Sequence, residues 1–451
     1  MKELRRLLFV VAAAAFFIGL FVLCDNFADD VVEEYSSDIS PSLLSGSSSG
    51  KKDGTATIDD VNVQQKVEDM VEADNTADMK LTVAGEIMCQ NQQLEQAYDE
   101  EKKSFSFADG LKYLKDDLSS GDITVSTLGT TLAGSGNGYS STTGGYCAED
   151  GMYNSPEVLA SDLKNAGITL LNTATSHSLD SGINGVYTTI DNLDKAKLKH
   201  VGTAKTSSDS KDYILKNNYV KIAFTGYTEN TNEQKLPDNA SFAVNTLDSL
   251  SDTKVADMCT HISELQKNND YVIVMLNFGT ADSSDIESSQ ESLAEKLAKA
   301  GADVIIGTGS RAIKPMEVMS VTDDNGLQHS CTVFYGLGAV YSSDYYSEYE
   351  NLDTDISLIL QLNLRSSISG TVELTDMKVI PVYLNWNNGL VQPVPVCEAK
   401  DTSKYSSVLD DDDKSRIESA YSGAVAKLLN GTSLKSEYNK KDYSYSVSLN
   451  K

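Results

Sequence analysis

The chain has 451 residues, 40% hydrophobic and 23% charged, with 37 lysines and arginines against 66 aspartates and glutamates, a formal net charge of −29. That is enough chain for one large domain or two ordinary ones, and enough apolar content for a sizeable core. A surface this acidic repels phosphate backbones, which sets nucleic acid aside as a partner.

Lys2, Arg5 and Arg6 precede an uninterrupted apolar run, Leu7 to Cys24, and Asp25, Asp29 and Asp30 follow it. The run is long enough to cross a bilayer as a helix, and longer than the roughly 7–15-residue core of a cleaved signal peptide. Positive charge stays inside, so the expectation is a short cytoplasmic N-terminus and an uncleaved single-pass anchor within residues 1–24, with the C-terminal domain extracellular. Val22-Leu23 fits poorly the small residues that precede a lipid-bearing cysteine. Residues 25–79, acidic and rich in Ser and Gly, read as a flexible linker, interrupted by a short amphipathic helix near Asp59–Ala73. The cysteines at 24, 89, 147, 259, 331 and 397 form no C-x-x-C pair, which excludes a zinc knuckle or a thioredoxin-like motif. An outside location permits disulfides, but the spacing favours no particular pairing.

Beyond the linker, apolar runs alternate with helical segments. Strands are predicted at KLTVAG (80–85), 122–128, 168–174, 220–227, 271–278, 302–307 and 332–338. SPEVLASDLKNAG reads as a helix with Ser155 as N-cap and Gly167 as the stop, and SSDIESSQESLAEKLAKAG ends at Gly301 in the same way. This alternation predicts an α/β fold with buried sheets. The run DISLILQLNLR…GTVELTDMKVIPVYLNW has hairpin spacing, so a mixed or antiparallel sheet joins from the C-terminal side. Tyr405 to Asn430 reads as a surface helix whose LDDDDK cluster is a solvated face, and the Tyr/Ser/Lys tail after it is expected to fray.

In such folds function gathers where loops leave the C-terminal ends of strands. The residues there are Gly85-Glu86, Thr127-Leu128-Gly129, Thr175-Ser176-His177 with Asp180 and Gly182, Asn277-Phe278-Gly279, Gly309-Ser310-Arg311, and Gly336-Leu337-Gly338. The Gly/Ser/Thr loop 129–146 has neither a Gly-Lys-Ser/Thr ending nor any lysine, so it reads as a flexible rim rather than a phosphate cradle. No G-x-S-x-G elbow offers a serine nucleophile. Gly336-Leu337-Gly338 is too short for a dinucleotide motif.

Five segments in order carry a resemblance. LTVAGEIM, SSGDITVSTLGTTL, the stretch from LKNAGITLLNTATSHSLDSG to KHVGT, ESLAEKLAKAGADVIIGTGSRAIKPMEV and FYGLGAVYSS together resemble the capsule synthesis protein CapA family, linked to poly-γ-glutamate capsules. The resemblance covers about residues 80–345. It implies a branch of the calcineurin-like metallophosphoesterases, hence an αββα sandwich with mixed sheets. The implied layout is a CapA-like domain at 80–395, followed by a C-terminal helix and tail at 396–451.

The departures from that pattern are as informative as the matches. Glu86 stands at the family's first aspartate. Thr127 and Gly129 stand in its Asn-Leu-Glu motif, and Thr175 and Ser176 replace the two asparagines before His177. Asn277 begins its His-Trp-Gly motif, and Gly309 and Arg311 fall on its two histidines, while Asp180 and Gly182 survive. A dinuclear centre needs imidazoles and carboxylates to hold two cations about 3.5–4 Å apart. The chain has 4 histidines, and His200, His261 and His329 lie outside these loops. No metal or other cofactor is therefore expected, and Arg311 puts a cation where a metal would sit. The alternative keeps one divalent ion, such as Mn or Zn, on Glu86, His177, Asp180 and Asn277.

Each of these residues also has a plain structural reading. A lone histidine is commonly structural, so His177 reads first as a hydrogen-bonded residue capping the next helix, and Asp180 as turn chemistry before it reads as an orienter of the imidazole. Glu86 is offered as an ion partner for Arg311 across the cleft. The resulting expectation is a membrane-anchored, extracellular CapA-like protein of capsule or cell-envelope polymer assembly, with a degenerate site and a binding or scaffold role rather than catalysis. Its partners would be the membrane, a surface polymer or other assembly proteins. The alternative is a metal-dependent phosphoesterase- or amide-acting enzyme of poly-γ-glutamate capsule synthesis with an altered site.

Overall fold

Three successive passes of the chain build two sheets. The computed structural model describes residues 76–449, apart from 137–145, 150, 217–219, 323–325, 344–352, 368–370 and 388–389. The expected anchor at 7–24 and the helix near Asp59–Ala73 lie outside the described residues. Among the described residues, no helix is long and apolar enough to cross a membrane.

The first pass lays down β1 (Thr76–Ile87), β2 (Ile123–Leu128), β3 (Leu170–Asn172) and β4 (Lys199–Val201) as parallel neighbours. Helix α1 (Val158–Ala166) precedes β3, and α2 (Gly182–Lys195) links β3 to β4. The second pass forms a separate sheet: β5 (Asp212–Lys216), β6 (Lys221–Thr228), β7 (Tyr271–Asn277), β8 (Val304–Thr308), β9 (Met316–Thr322) and β10 (Gln328–Phe334). Its order is β9-β10-β8-β7-β6-β5, parallel inside with an antiparallel strand on each edge. Helices α3 (Asp252–Asn268) and α4 (Ser288–Ala300) flank β7 in sequence.

The third pass returns to the first sheet. On the side of β1 away from β2, strand β11 (Ala339–Tyr341) pairs with the end of β1, and the long hairpin β12 (Ile356–Ser367) and β13 (Val372–Tyr383) adds antiparallel along the rest of it. Short β14 (Val394–Pro395) borders β13. After α5 (Asp411–Leu428), strands β15 (Ser436–Asn439) and β16 (Ser444–Ser448) complete a 10-stranded sheet ordered β15-β16-β13-β12-β1-β2-β3-β4. The hairpin spacing read from the sequence thus corresponds to the antiparallel half of a mixed sheet.

Alternation along the strands assigns the layers. Leu81, Val83, Val125 and Leu170 of the first sheet pack against Ile222, Phe224, Ile273, Met275 and Ile306 of the second in one core. On the far side of the first sheet, Leu128 and Leu171 meet Leu159 and Leu163 of α1 and Leu193 of α2. On the far side of the second, Val272, Val274 and Leu276 meet Met258 and Ile262 of α3 and Leu293 and Leu297 of α4. The architecture is therefore helix–sheet–sheet–helix, and each such apolar side chain contributes about 1.5–3 kcal/mol by leaving water. Helix α5 covers the part of the first sheet's inner face next to the second sheet, through Ile417, Ala424 and Leu428.

Several elements differ from their sequence expectation. The predicted strand 332–338 covers only the last residues of β10, which ends at Phe334; Gly336-Leu337-Gly338 belongs to the turn that leads into β11. Gly338 has φ +75°, and a Cβ on Gly85 would lie 2.4 Å from the Gly338 carbonyl oxygen, so this glycine pair lets the chain cross from one sheet to the other at close quarters. Ser155 does not cap α1: its N–H and hydroxyl go to Thr131 and Thr130, and Glu157 occupies the N-cap. Strand β1 begins at Thr76, inside the stretch read as linker. The tail expected to fray forms β15 and β16, whose Tyr445 and Val447 are buried against the sheet.

Candidate functional site

The parallel strands of both sheets end at one edge, and the residues singled out from the sequence meet there. Glu86 sits at the end of β1, where the pairing with β2 and with β11 shifts register. Such an irregularity re-aims a side chain, and Glu86 is 2% exposed. Its Oε1 accepts a hydrogen bond from Asn277 Nδ2 at 3.3 Å. A Cβ on Gly129 would lie 2.8 Å from that same Oε1, so the bare glycine makes the room that the carboxylate occupies.

Asn277, the last residue of β7, joins the two sheets. Its Oδ1 accepts from the Ser176 N–H at 3.1 Å and from the Thr228 hydroxyl at 3.4 Å, and its Nδ2 also reaches Thr308 Oγ1 at 3.5 Å. Thr308 in turn donates to Thr127 Oγ1 at 3.2 Å. The neutral side chains Thr127, Asn277 and Thr308 thus form a hydrogen-bonded floor. Gly309, with φ +100°, turns the chain directly above it, and a Cβ there would stand 3.0 Å from Asn277 Nδ2.

His177 does not cap α2. Its Nδ1 lies 2.9 Å from Asp180 Oδ2, which also accepts the Tyr153 N–H at 2.7 Å, and Asn232 Nδ2 lies 3.3 Å from the same ring nitrogen. The Tyr153 ring meets the imidazole edge-on, with centroids 4.6 Å apart. Asp180 is therefore the orienter of His177, held by backbone as well as by imidazole. Arg311, at φ +56°, donates from Nη2 to Asp282 Oδ2 at 2.5 Å. A cavity of about 460 Å³ opens here, lined by Glu86, Met88, Tyr153, Ser176, His177, Asp180, Asn232, Gly309 and Arg311 among others.

The fold thus brings all nine sequence candidates together: six line the cavity, while Asn277, Thr127 and Gly129 support it. Tyr153, Asn232 and Asp282 are among the site residues that the sequence did not single out. Asp282 was within reach, three residues past the Asn277-Phe278-Gly279 motif. Tyr153 and Asn232 arrive from loops whose approach only the tertiary structure sets. Cys89, near the end of β1, supplies no thiolate, since burial pushes its thiol up to about 12. Beneath the Gly309–Arg311 turn, Lys314 is fully buried with Nζ 2.8 Å from Gln290 Oε1, and burial holds its ammonium below the ordinary lysine value.

The model of the bacterial capsule synthesis protein family PGA_cap matches residues 80–344, well over half of the chain. The chain belongs to this family. The PGA biosynthesis protein CapA of Bacillus subtilis (strain 168) is 29% identical over 222 residues, 48% of this chain and 52% of that protein. The capsule biosynthesis protein CapA of Bacillus anthracis is 28% identical over 287 residues, 59% of this chain and 62% of that protein. The matches thus span less than two thirds of either relative. A calcineurin-like phosphoesterase from Bacillus subtilis is 11% identical with a TM-score of 0.37, over 76% of this chain and 99% of that one, a likeness too loose to carry an argument.

For this PGA_cap member, the donors among the described residues do not make up a metal pair of the kind implied by the resemblance. Among the described residues, no group of three or more His, Cys, Asp or Glu side chains is placed to hold a metal ion. Two positions expected to offer imidazoles hold a glycine with no side chain and a guanidinium committed to Asp282. The floor offers hydroxyl and amide groups, which are weak ligands for a divalent cation.

Proposed function

We propose that this PGA_cap chain is a membrane-anchored, outward-facing protein of capsule or cell-envelope polymer assembly that binds or scaffolds rather than catalyses. The observation that carries the reading is Arg311 bonded to Asp282 at the cavity wall, a fixed ion pair where a metal ligand would otherwise stand. Support for the anchored location comes from the Lys2/Arg5/Arg6-flanked apolar run at Leu7–Cys24.

The test is the metal content of the full chain, purified in detergent without chelator and then offered manganese, zinc and iron in turn. The expected content is below about a tenth of an equivalent per chain, the level of adventitious binding where ligands are too few. One or two tightly held ions per chain would overturn the reading.

The rival, an altered-site enzyme acting on a phosphoester or an amide, draws on the oriented His177–Asp180 pair in the cavity. It requires turnover of p-nitrophenyl phosphate or γ-glutamyl-p-nitroanilide that His177→Ala abolishes. The binding reading expects no turnover in either protein.

A further inference from the structure

The cavity at His177 has a neighbour. A second cavity of about 700 Å³ is lined by the connection from β6 to α3, and Asn232 and Gln234 line both. Each volume is that of a pocket for one small ligand, roughly 300–1,000 Å³, so a molecule filling both is a chain of at least two units.

The backbone of that connection is held against its preference. Asn232, Glu233, Asp248, Ser249 and Leu250 have left-handed φ between +46° and +64°, and none is a glycine. All but Leu250 line the second cavity. Such conformations persist where the surroundings over-determine them, and they gather at ligand sites.

The lining selects the chemistry of the ligand. In the second cavity Lys235 and Lys254 are matched by Glu233 and Asp248, and Lys254 Nζ lies 3.9 Å from Asp248 Oδ2, so neither sign is in excess. A polyanion gains little there and meets a chain of net charge −29. Around these charges stand the amides of Asn230 and Gln234 and the hydroxyls of Ser241 and Ser249. Each such side chain both donates and accepts, as a sugar hydroxyl does.

The first cavity asks for a hydroxyl as well. His177 Nδ1 faces Asp180, a carboxylate that only accepts, so the Nδ1 proton is committed and the neutral ring leaves a lone pair on Nε2. Nε2 is not buried and has no hydrogen-bond partner among the described residues, and the side chain, 14% exposed, lines the cavity. The Tyr153 ring adds apolar surface for the C–H groups of a sugar.

We infer that the two adjoining cavities bind a neutral glycan strand, one sugar unit at His177 and the next against the β6–α3 connection. This rests on the binding reading above and names the class of polymer. Plain hydroxylated and N-acetylated glycans share this chemistry, and the test separates them.

Titration calorimetry of the full chain in detergent would compare cellotetraose and chitotetraose with glucose, N-acetylglucosamine and a γ-glutamyl tetramer. The expected result is saturable binding of one or both tetrasaccharides, about tenfold or more tighter than the matching monosaccharide because both cavities are engaged. Ser241→Trp, which fills the second cavity from an exposed position, should remove that advantage. Gln234→Ala deletes an amide common to both cavities and should weaken tetrasaccharide binding about threefold or more, the loss of one hydrogen bond. Thermal melting shows which variants keep the fold, and Gln234→Ala carries the test if Ser241→Trp does not. Four results would overturn the inference: neither tetrasaccharide binds, the monosaccharide binds as tightly, the γ-glutamyl tetramer binds as tightly as the glycans, or folded variants bind the tetrasaccharide unchanged. In each case a low metal content and an absence of turnover would leave the non-catalytic reading standing, so the two fail separately.

Discussion

At the scale of single residues, Glu86 and Gly129 are fitted to each other. The resemblance implies a shorter aspartate where Glu86 stands and a side chain where Gly129 stands. The two positions are coupled in space, because the missing Cβ of Gly129 would stand 2.8 Å from Glu86 Oε1. Gly129→Ala is therefore expected to cost about 1–3 kcal/mol by overpacking. Glu86→Asp in the same chain should recover most of it by withdrawing the carboxylate. Chemical denaturation of the two single variants and the double variant tests the coupling, and additive losses would refute it. All nine candidate positions were legible in the sequence as residues at strand ends. Their partnerships were not: that Arg311 meets Asp282, and His177 meets Asp180 rather than the α2 terminus, depends on side-chain directions that no spacing encodes.

At the scale of elements, α5 shows why a charged run needs its tertiary setting. From the sequence, LDDDDK reads as a solvated face, and Asp411 and Asp412 are indeed exposed. Asp413 instead is buried, accepts the Tyr383 hydroxyl at 2.7 Å and completes the N-terminal capping box with Asp410. One turn further on, Arg416 donates to Asp355 at 2.6 and 2.7 Å and to Asp353 at 2.6 Å, and Lys427 also holds Asp353. Asp355 has a 4% exposed side chain, so Arg416→Ala strands a buried carboxylate and should cost about 3–5 kcal/mol. Burial alone would raise the Asp353 carboxyl, but the hydrogen bonds from Lys427 and Arg416 outweigh it and hold it below its ordinary value. A carboxyl held low contributes stability that is fully present above its unfolded value, about 3.9, and is lost as pH falls through the folded one. The stability gap between the native chain and Arg416→Ala should therefore be constant near neutrality and shrink below about pH 4. A gap that stays open in acid would refute this account. The helix itself was legible from its pattern. The ion network was not, because Asp353 and Asp355 lie about 60 residues upstream and meet it only through β12.

At the scale of the whole molecule, the first sheet is assembled from both ends of the described chain. Strands β15 and β16 close its edge over β13, burying Tyr445 and Val447. A chain ending at Asn430 should lose about 3–6 kcal/mol, two buried side chains at roughly 1.5–3 kcal/mol each. It should also associate through the bared β13 edge. Thermal melting and size-exclusion chromatography would show both effects, and an unchanged, monomeric protein would refute them. The parallel half of the fold was readable from alternating strands and helices. The closing pair was not, since a Tyr/Ser/Lys composition marks neither a strand nor a core until β13 offers an edge to pair with.

The position of β1 has a mechanical consequence. The chain enters the sheet at Thr76, and Thr76 to Ala84 pair in register with Ser367 to Ile359 of β12, while Leu81 to Val83 pair with Ile123 to Val125 of β2 on the other side. A pull on the chain ahead of Thr76 is directed along β1, so it loads these cross-strand hydrogen bonds together in shear instead of peeling them one by one. The cavity lies at the opposite end of the same strand, at Glu86, about 33 Å from Thr76 at roughly 3.3 Å per residue. With the proposed anchor ahead of Thr76, a pull through it would be passed by β1 to its neighbours β12 and β2 over Thr76–Ala84, ahead of the cavity at Glu86.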